Sequence, residues 1–171
     1  ANNVTFSPSN SFTVNNGGIL NPNTRTLTFN AGSFTVNTGG TVSNYGLFQT
    51  QGTVSVISRH GASFNAPLKV NTGNTLAFND QSPFIAVFKG AITVDAGATL
   101  TVQNGGYTLQ ANSTLTNNGT ITGPSTLRMK GSSLINNNLI SCSGLTLDST
   151  INISGAGSFT SNLITLGASG N

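Results

Sequence analysis

Apolar residues recur in the second half of the chain at an interval of about 19 residues, in three columns that run side by side. Short stretches rich in Asn, Gly, Thr and Ser separate them. A fixed period of this size predicts a solenoid, because one repeat cannot bury its apolar face alone and must stack on its neighbours. The columns are Val102, Ile121, Ile140 and Phe159; Leu109, Met129, Leu147 and Leu166; and Val94, Leu115, Leu134 and Ile153.

The same pattern continues into the first half of the chain, where the first column has steps of 20 to 24 residues. The segment FTVNNGG at 12–18 nearly duplicates FTVNTGG at 34–40, which supports a step of 22 residues independently. We therefore predict one core ladder through the whole chain, in which each side chain lies over the next one. Its members are Val14, Val36, Val56, Phe78, Val102, Ile121, Ile140 and Phe159.

Each apolar cluster is short and alternates with Thr or Ser, as in LTV, TIT, LTL and INI. Such alternation is typical of β-strands with one buried face, and the intervening NG, GG and NNN sequences allow sharp turns. The predicted fold is an all-β, right-handed parallel β-helix with three short strands per coil and about eight coils of 19–24 residues. Residues 1–171 form a single β-solenoid domain, in which residues 1–11 serve as an N-terminal exchange strand or cap.

Asparagine pairs repeat at the same interval as the apolar columns. Asn117 and Asn118 precede Asn136 and Asn137 by 19 residues. In a parallel coil such side chains lie one above the other at a turn, where each amide can hydrogen-bond to the next, as in cross-β assemblies. We therefore predict an asparagine ladder at this turn.

Charged residues are scarce and scattered. They make up 5% of the chain, against roughly 25% in an average globular protein. The net charge of +3 comes from isolated Lys and Arg residues, whose closest pair is Arg128 and Lys130. Nucleic-acid-binding proteins cluster such residues on one face, so we expect no nucleic-acid partner. No run of 18 apolar residues is present, so we also expect no membrane span.

The residue types that catalysis or metal binding require are few and separated. The chain has no Glu, and its three Asp residues are Asp80, Asp95 and Asp148. The last two lie some three coils apart, or about 14 Å, which is too far for a catalytic carboxylate pair. We interpret His60 as a surface turn residue and Cys142 as a small buried residue rather than a reactive thiol. The sequence thus predicts no catalytic residue, no metal site and no cofactor, and therefore a protein that is not an enzyme.

Three segments, GAITVDAGATLTVQNGG, STLTNNGTITG and STINISGAGSF, resemble the secreted β-helix repeats of bacterial filamentous-haemagglutinin-like adhesins and autotransporter passengers. The resemblance covers nearly the whole chain, and it concerns the style of the repeats, not a diagnostic motif. It implies a secreted protein, extracellular or at the cell surface, with a structural or adhesive role as a filament subunit or a stalk segment. Its implied partners are other copies of the chain, a host surface or a glycan, and it brings no catalytic residues.

Both ends of a solenoid expose unpaired backbone and core side chains, so terminal units normally carry a cap. Neither end sequence looks like an amphipathic cap. We therefore expect a slice of a longer solenoid, head-to-tail stacking of copies, or addition of the strand Val4–Phe6 to a neighbour. The enlarged coil around NDQSPFIAVFKG is a further candidate contact surface, because its alternation exposes apolar side chains. The candidate interface residues are Val4, Phe6, Phe84, Phe88, Leu163 and Leu166.

Two other functions remain alternatives. A flat solenoid face with rows of Thr can order water, as an ice-binding protein does, and TRTLT, TLT and TIT supply outward Thr residues. Such rows need Thr in the same column of every coil, and the sequence columns place Thr101 and Thr122 out of line with Ser141 and Thr160. We therefore predict broken rows. The other alternative is a carbohydrate-binding β-helix, which would need a groove with aromatic residues, and the chain contains Phe and Tyr but no Trp.

Overall fold

The structure, a computed structural model, describes residues 4–6, 11–29, 32–37, 41–42, 47–50, 53–58, 63–64, 67–80, 86–88, 90–103, 108–130, 133–148 and 151–167. Within these residues every helix or strand assigned is a β-strand, and all of the strand pairings are parallel. Each strand pairs with the strand that occupies the same place one turn later. The chain is therefore a parallel β-solenoid, as its repeat predicts.

The described strands, in chain order, begin with β1 (Val4–Phe6), β2 (Phe12–Val14), β3 (Ile19–Leu20), β4 (Thr26–Phe29), β5 (Gly32–Val36), β6 (Thr41–Val42), β7 (Leu47–Thr50), β8 (Thr53–Ser58), β9 (Ser63–Phe64), β10 (Leu68–Val70) and β11 (Thr75–Asp80). They continue with β12 (Ala86–Phe88), β13 (Ile92–Val94), β14 (Thr99–Gln103), β15 (Thr108–Ala111), β16 (Leu115–Asn117), β17 (Thr120–Met129), β18 (Ser133–Asn136), β19 (Leu139–Asp148), β20 (Asn152–Ser154) and β21 (Ser158–Gly167).

These strands build three walls around one core. The first wall contains β1, β4, β7, β10, β13, β16, β18 and β20. The second contains β2, β5, β8, β11 and β14, and the third contains β3, β6, β9, β12 and β15. The long strands β17, β19 and β21 belong to both the second and the third wall, and so join them into one sheet.

Six of the eight strands of the first wall have a hydrogen-bonded neighbour on both sides within the described part of the chain. The structure thus has about six turns enclosed between neighbours, and the predicted count of eight coils is slightly too high. The terminal strands β1 and β20 are stacked on one side only.

The corner inside the long strands depends on Gly123. The register between β17 and β19 shifts between Gly123 and Thr126, where the chain passes from the second wall to the third. Gly123 has a φ of 141°, which side chains rarely adopt, and a Cβ at this position would meet the carbonyl oxygen of Val102. The corner therefore approaches the preceding turn too closely for any residue except glycine.

The longest continuous file, meaning a set of residues that are register partners turn after turn, runs through the first wall. Its internal members are at most 2% exposed, so each turn covers the apolar side chains of the next. Burial of such side chains is the main favourable term in folding, at about 25 cal/mol per Å² of apolar surface. The file consists of Val4, Leu27, Phe48, Leu68, Ile92, Leu115, Leu134 and Ile153.

The predicted core ladder lies in the second wall, and as a single file it is wrong at two steps. Val36 pairs with Ser58 instead of Val56, and Leu100, instead of Val102, pairs with Ile121. Residues two apart in a strand face the same side, so a sequence period cannot tell which of two inward files a residue joins. The steps in direct register are Val14 to Val36, Val56 to Phe78, Phe78 to Val102, Ile121 to Ile140 and Ile140 to Phe159.

The asparagine ladder is confirmed. The side-chain amide of Asn117 donates a hydrogen bond of 2.8 Å to Oδ1 of Asn136, and both side chains are buried. The amide of Asn117 also donates to the backbone carbonyl of Leu139, at 3.0 Å, which ties the turn to the next strand. Outside the core, the amide of Asn137 donates to Oδ1 of Asn118 at 2.7 Å. The two parallel bonds hold one turn over the next where the chain leaves the first wall.

Replacing Asn117 by Ala should lower the free energy of unfolding by about 1–3 kcal/mol, because Oδ1 of Asn136 and the carbonyl of Leu139 then lose a donor in the core. The matched control is Asn118→Ala, which removes the exposed bond from Asn137 and should change stability by less than about 0.5 kcal/mol. Urea unfolding followed by circular dichroism measures both values. Equal losses in the two variants would contradict a special role for the buried rung.

Candidate functional site

The carboxylates for which the structure describes side chains form ion pairs between neighbouring turns. Asp95 lies 3.1 Å from Nζ of Lys69, and Nε of Arg128 donates to Oδ2 of Asp148 at 2.6 Å. Arg128 and Asp148 lie on β17 and β19, which are adjacent strands. Each acid is thus used to hold two turns together, and the two pairs lie on different walls. The side chain of Asp80 lies outside the described part.

Among the described residues, no group of three or more His, Cys, Asp or Glu side chains is arranged to hold a metal ion. His60 lies outside these residues. In the same part of the chain, no helix has the length and apolarity needed to cross a membrane.

Cys142 lies in β19 and is 5% exposed. Burial raises the pKa of its thiol from 9.0 to about 11, because a thiolate in this position would lose its hydration. Its register partners are Gly123 and Ser161, neither of which carries a charge that would favour the thiolate. The side chain therefore fills space, and at neutral pH it is a poor nucleophile.

The last turn is open on the side that faces away from the molecule. Strands β20 and β21 pair only with β18 and β19 in the described structure, and they carry the large exposed aliphatic residues Ile153, Leu163, Ile164 and Leu166, at 49, 63, 55 and 76%. Three of them are core residues by register. Ile153 follows Leu134, Ile164 follows Leu145 and Leu166 follows Leu147, and all three preceding residues are buried.

The first turn is less exposed and more aromatic. Phe6 stacks on Phe29 with ring centroids 4.5 Å apart, and it contacts Phe12 at 4.7 Å. Val4, Phe6, Phe12 and Leu20 are partly buried against the core. An open groove of about 290 Å³ runs along this edge, lined by Phe12 to Asn15 and Gly18 to Leu20. Apolar surface is therefore available at both ends of the coil.

Strand β1, the predicted exchange strand, pairs with β4 of its own chain and forms the first rung. Two candidate interface residues lie in the enlarged coil. Phe84 falls outside the described residues, and Phe88 pairs with Phe64 on one side and with the buried Ala111 on the other. The register of Phe88 therefore places it in a file of the third wall that continues to Met129.

The rows of hydroxyl residues on the second wall are not broken, contrary to the prediction. Thr101 pairs with Thr122, Thr122 with Ser141 and Ser141 with Thr160. The error has the same origin as that of the core ladder, because Val102 was aligned with Ile121 and the outward residues moved with it. A second row contains Thr53, Thr75, Thr99, Thr120, Leu139 and Ser158.

Sequence reasoning thus found Leu163 and Leu166 but missed Ile153 and Ile164 as exposed residues. Ile153 was assigned to a core column, and no sequence signal separates the last member of a column from its buried members. The hydroxyl rows did carry a signal. The triplets TLT at 99–101, TIT at 120–122 and SFT at 158–160 place hydroxyls two residues apart around one apolar residue.

The thiol of Cys142 should react with a disulfide reagent far more slowly in the folded chain than in the unfolded chain at pH 8, because its pKa is raised to about 11. The unfolded chain ionises first, so the free energy of unfolding should fall as the pH rises from about 9 to about 11. Cys142→Ala should lack this part of the decline. Equal rates in the folded and unfolded chains would contradict burial of the thiol.

The chain was compared with protein-family models, with curated proteins and with solved structures, and none of them matched. Its function has to be inferred from the molecule itself. Two surface features stand out for that purpose, namely the open last turn and the hydroxyl rows of the second wall.

Proposed function

We propose that this chain is a non-catalytic structural β-solenoid, extracellular or at the cell surface, that forms a filament by stacking copies end to end. The observation that carries the proposal is the open last turn, whose core side chains are 49 to 76% exposed. A surface of this kind is what one more turn of the same solenoid would cover. The same contact would serve a stalk segment of a larger adhesin.

The strands at both ends lack the features that normally prevent strand pairing. Natural edge strands often carry charged residues, prolines or bulges that block addition of another strand. None of the five terminal strands β1, β2, β3, β20 and β21 contains a charged residue or a proline. Strand β21 is ten residues long, which makes it an extended uncharged edge.

The register suggests how a second copy would fit. Continuation of the first-wall file places Val4 of the next copy beside Ile153, and continuation of a third-wall file places Leu20 beside Leu166. Apolar residues would meet apolar residues at both positions. Because the two contacting surfaces differ, the contact repeats without closing and produces a filament.

Side-chain burial alone does not account for such a contact. Fully burying a Leu or Ile stabilises by about 1.5–3 kcal/mol, so covering four half-exposed side chains contributes about 3–6 kcal/mol. Association costs about 4–15 kcal/mol in lost freedom of movement. The remaining contribution has to come from backbone hydrogen bonds along β20 and β21, which in the described structure have no neighbour on that side.

The chain as given should assemble, with a sedimentation coefficient that rises with concentration and with rods in negative-stain images that are longer than one molecule. Ile164→Lys and Leu166→Lys should each leave it monomeric, because a charge at the open turn cannot be buried without a partner. The matched control is Ile135→Lys, since Ile135 lies on β18 at an outward position between Thr116 and Ser154. This variant should still assemble.

A chain that stays monomeric at every concentration tested would overturn the proposal. Loss of assembly in Ile135→Lys to the same extent as in the end variants would also overturn it, because the contact would then involve the walls. Circular dichroism of each variant verifies that the solenoid is folded.

A further inference from the structure

The second wall presents a two-column array of hydroxyl groups over its last four turns. The outward positions are Thr99 and Thr101 on β14, Thr120 and Thr122 on β17, Leu139 and Ser141 on β19, and Ser158 and Thr160 on β21. Seven of these eight positions carry a hydroxyl, and all eight are in register from one turn to the next. The side chains are half-buried or exposed. The array is therefore a regular surface accessible to solvent.

The array is held on a rigid base. The residues between the two columns are Leu100, Ile121 and Ile140, which are at most 2% exposed, and Phe159, which packs against the core. The register shift of β17 and β19 comes after Gly123, beyond the array. Thr side chains are also stiff at χ1, because they are branched at Cβ. The hydroxyls are thus fixed at spacings of about 4.8 Å across strands and about 6.6 Å along them.

The other walls do not present such an array in the described residues. The corresponding outward file of the first wall contains Lys69, Thr93, Thr116 and Ile135, with Lys69 paired to Asp95. On the third wall, the outward file contains Arg128, which is paired to Asp148. Only the array on the second wall combines repeated hydroxyls with the absence of charge over four successive turns.

We propose that this hydroxyl array binds the surface of ice. The oxygen rows on the faces of hexagonal ice repeat at distances of the same size as the two spacings of the array. Each Thr adds a methyl group beside its hydroxyl, so that ordered water can be both hydrogen-bonded and confined. A charged residue would orient water around itself and interrupt that order.

The chemistry of the array favours crystalline water over a crystalline polysaccharide. Sugar rings pack on aromatic side chains, which bury large apolar areas and keep a defined geometry. None of the eight outward positions is aromatic. The one aromatic residue among these four strand segments, Phe159, lies between the two columns and is packed against the core.

The test is the thermal hysteresis of the purified chain, together with the fraction of the chain that is incorporated into slowly growing ice. The unmodified chain should show hysteresis, shape ice crystals and partition into the ice. Thr122→Lys and Thr101→Lys should each reduce the hysteresis by roughly an order of magnitude, because one long charged side chain separates the neighbouring hydroxyls from the ice surface. Thr116→Lys is the matched control on the first wall and should leave it unchanged.

Absence of hysteresis in the unmodified chain would overturn the inference, and so would equal losses in Thr122→Lys and Thr116→Lys. A pull-down with crystalline cellulose and chitin covers the other solid surface. Binding there that Thr122→Lys abolishes, without any effect on ice, would assign the array to a polysaccharide and reject ice. The array variants lie away from the open last-turn residues Ile164 and Leu166, so end-to-end assembly and ice binding are measured separately.

Discussion

The structure depends on the parallel, in-register contact between one turn and the next. That contact supplies two things together, namely the backbone hydrogen bonds of three walls and the cover over the apolar side chains of the preceding turn. The file from Leu27 to Leu134 shows the result, since its members are almost completely buried although each turn is thin. A single turn has no core of its own, so stability accumulates through contacts between neighbours.

The same contact determines where polar groups are tolerated inside. Asn117 and Asn136 are buried because each amide finds an acceptor one turn away, and the unpaired burial of such groups would be costly. The ion pairs of Lys69 with Asp95 and of Arg128 with Asp148 also join adjacent turns. In a chain with 5% charged residues, most polar side chains therefore work as links along the axis.

Stacking also explains the two surfaces from which function is inferred. Where the stack stops, residues such as Ile164 and Leu166 keep the chemistry of the core but lose their cover, which makes the last turn adhesive. Where the stack continues, outward residues such as Thr101 and Thr122 are repeated at constant spacing, which makes the wall a periodic surface. One rule of register thus produces an assembly surface at the end and an array along the side.

The sequence by itself determined the β-solenoid, its three walls and the asparagine ladder, because each of these follows from a repeat of about 19 residues and from strand alternation. It did not determine which inward file a residue joins. Positions two apart face the same side, so Val102 and Leu100 were equally good partners for Ile121, and the wrong choice hid the hydroxyl rows. Only the tertiary structure decided the register, because the corner at Gly123 and the unequal lengths of the turns fix the alignment through contacts between turns. It also decided that Ile153 is exposed while Leu134 is buried, since exposure depends on whether another turn follows and not on the residue itself.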